Sequence, residues 1–429
     1  MLDPLLDLNI VDGLVLGACS VASLAFVLYL IARRPSRLWV LTALVGILGA
    51  ALIALVIVFL VEKVWNTFGV AFSPTTVMWI VLTFSAVGLA IVNLWRSRVL
   101  RKIIAIVAIL VFVLTGVVGV NASIGITKTV GALLGISTAK PLPVPGPIVS
   151  PGPTNAGPLY QTWSPPADMP ATGKVGSIDI PNTVSGFDAR QAVAYVPPAN
   201  QVENPPQLPV VIQLNGQPGS PSLDDTKTAL DAMAAANNGL APIVINPDQL
   251  GGDGSVDRLC LDTSLGNVET YIMKDVVPYV RTHFNVIQDP KYWTFMGFSN
   301  GGECAAYFGA KYPDTFGNFV DMSGDEYPGV EDSSTAANLF GGDQAAYEAT
   351  WPVNIMKRTT YPDSVAVFTI GGNDEFKAGI QRLRDAATAA GIKVTYTEIP
   401  GSGHDGASVT GGLDAAFTTL YPRWGLKAP

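Results

Sequence analysis

Apolar residues crowd the first 125 positions in long stretches free of charge, then thin into short runs separated by polar turns. Four of the early stretches, at 10–31, 38–61, 77–95 and 103–120, approach the roughly 20 residues a helix needs to cross a hydrocarbon core. They predict an all-α transmembrane region of four helices over residues 1–123. The first stretch does not read as a cleavable signal: Asp3, Asp7 and Asp12 stand where a basic segment would be expected, and three more spans follow. No charge lies deep inside a span, which argues against an ion or proton path and for helices that pack together and face lipid.

Beyond the last span the pattern changes twice. Residues 124–139 are mildly apolar and suit a segment lying along a membrane surface. Then Pro141, Pro143, Pro145, Pro147, Pro151, Pro153, Pro158, Pro165 and Pro166 follow in close order. Such a run forms neither helix nor central strand, so 124–171 is expected to be a linker: a stiff spacer, or alternatively an ordered strap on the next domain. From 172 to 429 strands alternate with helices. Strands are predicted at 175–180, 190–196, 209–214, 241–245, 293–297, 319–323, 364–370 and 394–399, and helices at 223–237, 267–284, 301–311, 378–391 and 411–421. The first two strands read as an antiparallel pair. The remaining alternation predicts a mainly parallel sheet with helices on both faces.

Charge then orients the chain. Arg33, Arg34 and Arg37 lie between the first two spans, and Arg96, Arg98, Arg101 and Lys102 between the last two; the middle connection offers only Glu62 and Lys63. The positive-inside rule puts both basic loops in the cytoplasm. The expectation is a multi-pass plasma-membrane protein whose N-terminus and C-terminal domain, 172–429, are extracytoplasmic. A net charge of −8 without a basic cluster argues against nucleic acid as a partner. The sequence sets no oligomeric state. Of three cysteines, Cys19 lies in the first span, while Cys260 and Cys304 fall in the external part, where oxidation is permitted. A disulfide and two buried thiols both remain open, because spacing does not fix distance.

The candidate chemistry centres on Gly297-Phe298-Ser299-Asn300-Gly301, which follows an apolar strand and opens a helix. A G-x-S-x-G turn between strand and helix is a nucleophile elbow, and it makes the C-terminal domain an α/β-hydrolase with Ser299 as nucleophile. The serine needs a base, usually a histidine oriented by a carboxylate. Only two histidines exist, and only His404, in Gly401-Ser402-Gly403-His404-Asp405-Gly406, follows Ser299 as the Ser–acid–His order requires; His283 reads as a helix-end residue. The acid should follow strand 364–370, which selects Asp374, with Glu375 next in line. The oxyanion donors are assigned to the backbone N–H of Asn300 and of Gln217, where Gly216 permits a close approach and Pro218 has no N–H to give. A plain β-turn at 215–219 is the alternative.

No metal is expected: two distant histidines and no CxxC pattern argue against zinc. Asp253, Asp257 and Asp262 around Cys260 do not match a calcium loop and read as solvated charge. No nucleotide-binding glycine loop stands out, so no cofactor is called for.

Over about residues 172–426 the chain resembles the esterase D and antigen 85-like α/β-hydrolases. The resemblance rests on Leu214-Asn215-Gly216-Gln217, Gly297–Gly302, Gly371–Phe376 and Pro400–His404, supported by 267–275 and Asp321-Met322-Ser323-Gly324. It implies a serine esterase or acyltransferase acting on acyl esters of cell-envelope lipids or glycolipids. Antigen 85-like enzymes pass mycolic acyl groups between trehalose lipids and the cell wall through an acyl-serine. This sequence departs from them at three places: their acid is a glutamate where Asp374 stands, their oxyanion loop continues with an arginine where Pro218 stands, and Ser-Trp follows their histidine where Asp405-Gly406 follows His404. The hydrolase core is implied; trehalose and mycolate are not. The expected function is a membrane-anchored extracytoplasmic serine hydrolase. The alternatives are a mycoloyltransferase-like enzyme that passes the acyl group to a sugar hydroxyl, and an inactive envelope-binding scaffold.

Overall fold

The apolar stretches near the N-terminus form helices α1 (Leu14–Ile31), α2 (Arg37–Phe59), α3 (Pro74–Leu94) and α4 (Val99–Ile124). The computed structural model describes residues 3–11, 13–33, 36–65, 71–95, 97–136, 138–144, 157–252, 254–330 and 332–429. Asp12, Arg34, Arg96, Asp253 and the prolines at 145, 147, 151 and 153 lie outside the described residues. All four helices are long and apolar enough to cross a membrane, α2 when counted with the wide turn that prolongs it to Val64. Their starts follow from local chemistry. The Ser36 hydroxyl accepts from the Trp39 N–H and that of Ser73 from Thr76, and Pro74 occupies a first turn where its missing N–H costs nothing. Gly125, at φ 74°, ends α4 in the left-handed conformation.

These helices carry their bulk outward. Leu24, Leu28, Leu48, Leu52 and Leu110 are each more than half exposed, a surface that suits lipid rather than water. Inward they use small residues. A Cβ on Gly88 would fall 2.3 Å from the Gly46 carbonyl oxygen, and one on Gly116 2.1 Å from the Thr83 hydroxyl, so the backbones meet closely as small-residue membrane packing requires. Hydroxyl pairs cross between helices at Ser23–Thr115 (2.7 Å) and Thr76–Ser123 (2.9 Å). Arg101, read from sequence as a loop residue, is helical. Its guanidinium donates to the Leu30 and Ala32 carbonyls and to Asn93 Oδ1 at 2.9–3.1 Å, which satisfies carbonyls freed at the end of α1.

The chain falls into two compact units, Met1–Thr138 and Ala139–Pro429, which redistributes the expected linker. Residues 128–130 bond back to 8–10, through Ile10 N–H to Lys128 O and Val130 N–H to Leu8 O, and so belong to the helical unit. Residues 139–144 run beside the first strand of the second unit. Leu142 N–H donates to Ser177 O and Ser177 N–H to Lys140 O, both at 2.9 Å. Proline is tolerated on such an edge because its neighbours Lys140 and Leu142 supply the bonds. Farther on, Leu159 is buried and the Trp163 indole donates to Asn238 O at 2.9 Å. The described parts of 139–171 are therefore a strap on the second unit rather than a free spacer.

That unit is built on eight strands: β1 (Lys174–Ile178), β2 (Ala192–Val196), β3 (Val210–Leu214), β4 (Ile243–Asn246), β5 (Trp293–Phe298), β6 (Asn318–Met322), β7 (Val365–Gly371) and β8 (Lys393–Ile399). Their order is β1-β2-β4-β3-β5-β6-β7-β8. β2 pairs antiparallel with β1 and with β4; every other pairing is parallel. Every residue of β3, β5, β6 and β7 is buried, as expected where helices cover both faces. The covering helices are α5 (Asp224–Ala236), α6 (Val277–His283), α7 (Asn300–Lys311), α8 (Lys377–Ala389) and α9 (Gly406–Arg423). The helix expected at 267–284 is not uniform: Tyr271–Val276 is a π-turn ahead of α6. Pro278 has no N–H and its ring crowds the preceding turn, which widens the helix there.

One buried carboxyl lies beneath α7. Asp321, on β6, is fully enclosed; its Oδ1 accepts the Gly324 N–H at 2.8 Å, and a Cβ on Gly302 would fall 2.6 Å from that oxygen. Burial pushes this carboxyl up from 3.8 to about 7; the Gly324 N–H opposes the rise and the Asp374 charge adds to it. A raised acid favours the folded state fully below its unfolded value and loses that contribution as pH climbs to its folded one.

Two outcomes follow from this packing. Gly88→Val should lower the thermal midpoint of the detergent-solubilised protein, since overpacking a tight crossing costs about 1–3 kcal/mol; an unchanged midpoint would mean the helices do not meet there. Asp321→Asn should melt progressively higher relative to wild type as pH rises from about 4 to about 7. A difference independent of pH would show that the carboxyl is not held protonated.

Candidate active site

The local turn at Ser299 is set by glycine contacts. A Cβ on Gly297 would lie 2.1 Å from the Gly301 carbonyl oxygen, and one on Gly301 2.2 Å from the Leu214 carbonyl oxygen. Only glycine lets β5 turn into α7 against β3. Ser299 itself sits at φ 56°, ψ −124°, a strained conformation for a residue with a side chain. It is held by its N–H to Met322 O at 2.9 Å and by its carbonyl, which accepts the Gly302 and Glu303 N–H groups. Asn300 is the first residue of α7, so its N–H belongs to the group of helix-start donors without an intrahelical partner.

Parallel strands deliver the other two side chains to the same end of the sheet. Asp374 follows β7 and His404 follows β8. A Cβ on Gly371 would fall 2.2 Å from the Gly403 carbonyl oxygen, and Asn373 N–H donates to Ser402 O at 2.9 Å, so the two loops are fastened together. Asp405 holds the histidine loop: one carboxylate oxygen accepts the Gly403 N–H at 2.9 Å and the other caps α9 through the Ser408 N–H at 3.0 Å. The result is a continuous chain. His404 Nε2 is 2.9 Å from Ser299 Oγ, and His404 Nδ1 is 3.0 Å from Asp374 Oδ2. Asp374 is buried and also accepts the Phe376 N–H, while Glu375 is exposed. The imidazole lies between Phe298 and Phe376, with ring centroids 4.7 and 5.1 Å away.

His283, though nearer to Ser299 in sequence than His404 is, takes no part in this cluster. It stacks on Tyr279 at 4.1 Å at the end of α6, and its Nδ1 bonds Tyr279 O at 3.0 Å.

Gly216 faces the serine. A Cβ on Gly216 would lie 3.2 Å from the Ser299 Cβ, which sets this residue against Ser299. The Gln217 side chain is directed elsewhere and donates to the Ser255 carbonyl. Cys260 and Cys304 are joined by a disulfide, with Cα atoms 5.7 Å apart. Of the acidic residues around Cys260, Asp257 accepts from the Asn300 side chain at 2.9 Å, and Asp262 accepts from both the N–H and the hydroxyl of Thr270.

Several neighbours of the site gave no signal along the chain. Gln249 donates to Asn215 O at 2.5 Å and to Asn300 Oδ1 at 3.2 Å. Arg190 forms a two-pronged pair with buried Asp248 at 2.8 and 2.9 Å. Burial pushes the Asp248 carboxyl up, but the hydrogen bonds and charge of Arg190 outweigh it and hold the group below the usual carboxylate value. These contacts join residues dozens of positions apart, and no periodicity or spacing encodes them.

Comparison with known proteins agrees with this architecture. The chain is 29% identical over 417 residues to an uncharacterized protein of Corynebacterium glutamicum, covering 92% of each, and so including the helical unit. Among solved structures, it is similar to a ferulic acid esterase (17% identity, TM-score 0.50, 59% of this chain and 99% of that one). It is likewise similar to the S-formylglutathione hydrolase of Agrobacterium tumefaciens (19% identity, TM-score 0.50, 60% and 98%). At such identities these structures speak for the fold, an α/β-hydrolase. The Esterase family model matches residues 189–412, just over half of the chain, and the chain therefore belongs to the Esterase family.

Proposed function

We propose that this protein is a membrane-anchored serine esterase that cleaves acyl esters of envelope lipids or glycolipids on the extracytoplasmic side. The observation that carries the proposal is the single imidazole of His404 within hydrogen-bond reach of both the Ser299 hydroxyl and the Asp374 carboxylate. In the neutral ring, Nδ1–H donates to Asp374 and Nε2 accepts from Ser299 O–H. As Oγ attacks the ester carbonyl carbon, its proton passes to Nε2, and the buried carboxylate stabilises the imidazolium. The carbonyl oxygen takes up the charge against the N–H groups of Asn300 and Gln217. Collapse breaks the C–O bond, the leaving alcohol takes the proton from Nε2, and Ser299 is left acylated. Water then attacks the acyl-serine with His404 as base, releasing the acid.

Position relative to the membrane rests on charge and redox chemistry. Arg33, Arg34 and Arg37 on one side of α2, and Arg98, Arg101 and Lys102 at the start of α4, favour a cytoplasmic face. The Cys260–Cys304 disulfide suits an oxidising compartment for the esterase unit. An enzyme tethered by four spans meets bilayer and envelope lipids at high local concentration, which supports acyl lipids as the substrate class.

A fluorophosphonate probe should label the wild type and leave folded Ser299→Ala unlabelled. Asp374→Asn should lower kcat for a p-nitrophenyl ester by about 10³- to 10⁴-fold, whereas Glu375→Gln should stay within about threefold because its side chain is off the relay. Equal losses from the two variants would refute the assigned acid. Mass spectrometry of the Ser299 peptide after exposure to envelope lipid extract should show an acyl adduct. Its disappearance into water-derived acid, rather than into an added sugar, supports esterase over transferase.

A further inference from the structure

An oxyanion hole acts only if its donors are fixed before charge develops. Asn300 is fixed by the helix it starts. Gln217 is not: it lies in a surface loop, the class of segment with the least intrinsic rigidity. Besides Arg190 and Gln249, which hold its ends through Gly219 O and Asn215 O, that loop leans on residues 254 and 255. Gly219 N–H donates to Gly254 O at 3.1 Å, and the Gln217 side chain donates to Ser255 O. Two residues on, Asp257 Oδ1 accepts from Asn300 Nδ2 at 2.9 Å and from the Leu259 N–H at 2.7 Å. One short stretch thus touches both residues assigned to the hole.

The stretch is itself locked. Leu259 and Cys260 both hold left-handed backbone conformations, φ 60° and 53°, which non-glycine residues adopt only where the surroundings enforce them. The Cys260–Cys304 bond supplies that enforcement, and Cys304 lies one turn further along α7 from Asn300. From the other side, Arg190 donates to Gly219 O at 2.8 Å while paired with Asp248.

We propose that residues 254–260 form a strut, pinned to the nucleophile helix by the Cys260–Cys304 disulfide, that sets the separation of the two oxyanion donors, with Asp257 as its principal positioning residue. Asp257 touches no reacting atom; it ties the strut that braces Gln217 to the helix-fixed Asn300. The strut therefore governs transition-state stabilisation and leaves ground-state binding of the ester alone. This inference rests on the serine-esterase reading above.

The experiment uses the full-length protein in detergent, with a p-nitrophenyl ester as substrate and a trifluoromethyl ketone, which forms a tetrahedral adduct, as probe of the hole. Asp257→Ala should lower kcat by about tenfold or more, leave KM within about twofold, and weaken the ketone's Ki in parallel. Asp257→Asn, which keeps the oxygen acceptor, should restore most of both. The Cys260→Ala/Cys304→Ala double variant should shift kcat and Ki in the same direction. Should that pair of replacements prevent folding, the two Asp257 variants alone decide. Wild-type kcat and Ki in Asp257→Ala, or a loss confined to KM, overturns the strut while Ser299-dependent turnover stands. Wild-type turnover that survives Ser299→Ala removes the esterase reading, and the strut with it.

Discussion

The esterase unit depends on how closely its backbone can approach itself beneath Ser299. The carbonyls of Gly301 and Leu214 occupy the space that side chains at 297 and 301 would need, so two glycines decide whether β5 can turn into α7 at all. The turn lifts Ser299 into a strained conformation and leaves its hydroxyl at the end of the sheet. Everything else in the site arrives at that point because parallel strands all end on the same side: the loop after β3 brings Gly216 and Gln217, the loop after β7 brings Asp374, and the loop after β8 brings His404. Two hydrogen bonds of about 3 Å then link residues 105 and 30 positions apart in the chain.

The helical unit solves a different problem with different residues. Its outward leucines form a surface suited to lipid, and its glycines and hydroxyls let the helices approach closely. Arg101 is the informative exception. A charge at a helix start is tolerable because three carbonyl-type acceptors meet its guanidinium, which gives it a structural task.

Much of this was legible before any coordinates. Hydrophobic length announced four long apolar helices, alternation announced the sheet, and the order of Ser299, Asp374 and His404 along the chain picked out three residues that the fold brings together. Sequence separated Asp374 from Glu375 only by position after the strand; burial and the bond to His404 separate them in the fold, with Asp374 enclosed and Glu375 exposed. The strap at 139–144 stood in the sequence only as the alternative to a spacer, because proline content reports what a segment cannot form, not what its non-proline neighbours bond to. The π-turn before α6 was marked by Pro278 but not readable from apolar spacing. The network of Arg190, Asp248, Gln249, Ser255 and Asp257 was invisible: each contact is a pairing of distant residues with no repeating signature, and Asp257 carried only the look of a solvated acid.

The central claim is that Ser299, His404, Asp374 and the two backbone donors form one reacting centre, and the crystal structure of the protein inactivated with an acyl-chain phosphonate tests it most directly. The account predicts phosphorus bonded to Ser299 Oγ, the phosphoryl oxygen about 2.7–3.1 Å from the backbone nitrogens of Asn300 and Gln217, and the imidazole of His404 still bridging to Asp374. An adduct on another residue, or a phosphoryl oxygen turned away from both nitrogens, would contradict it.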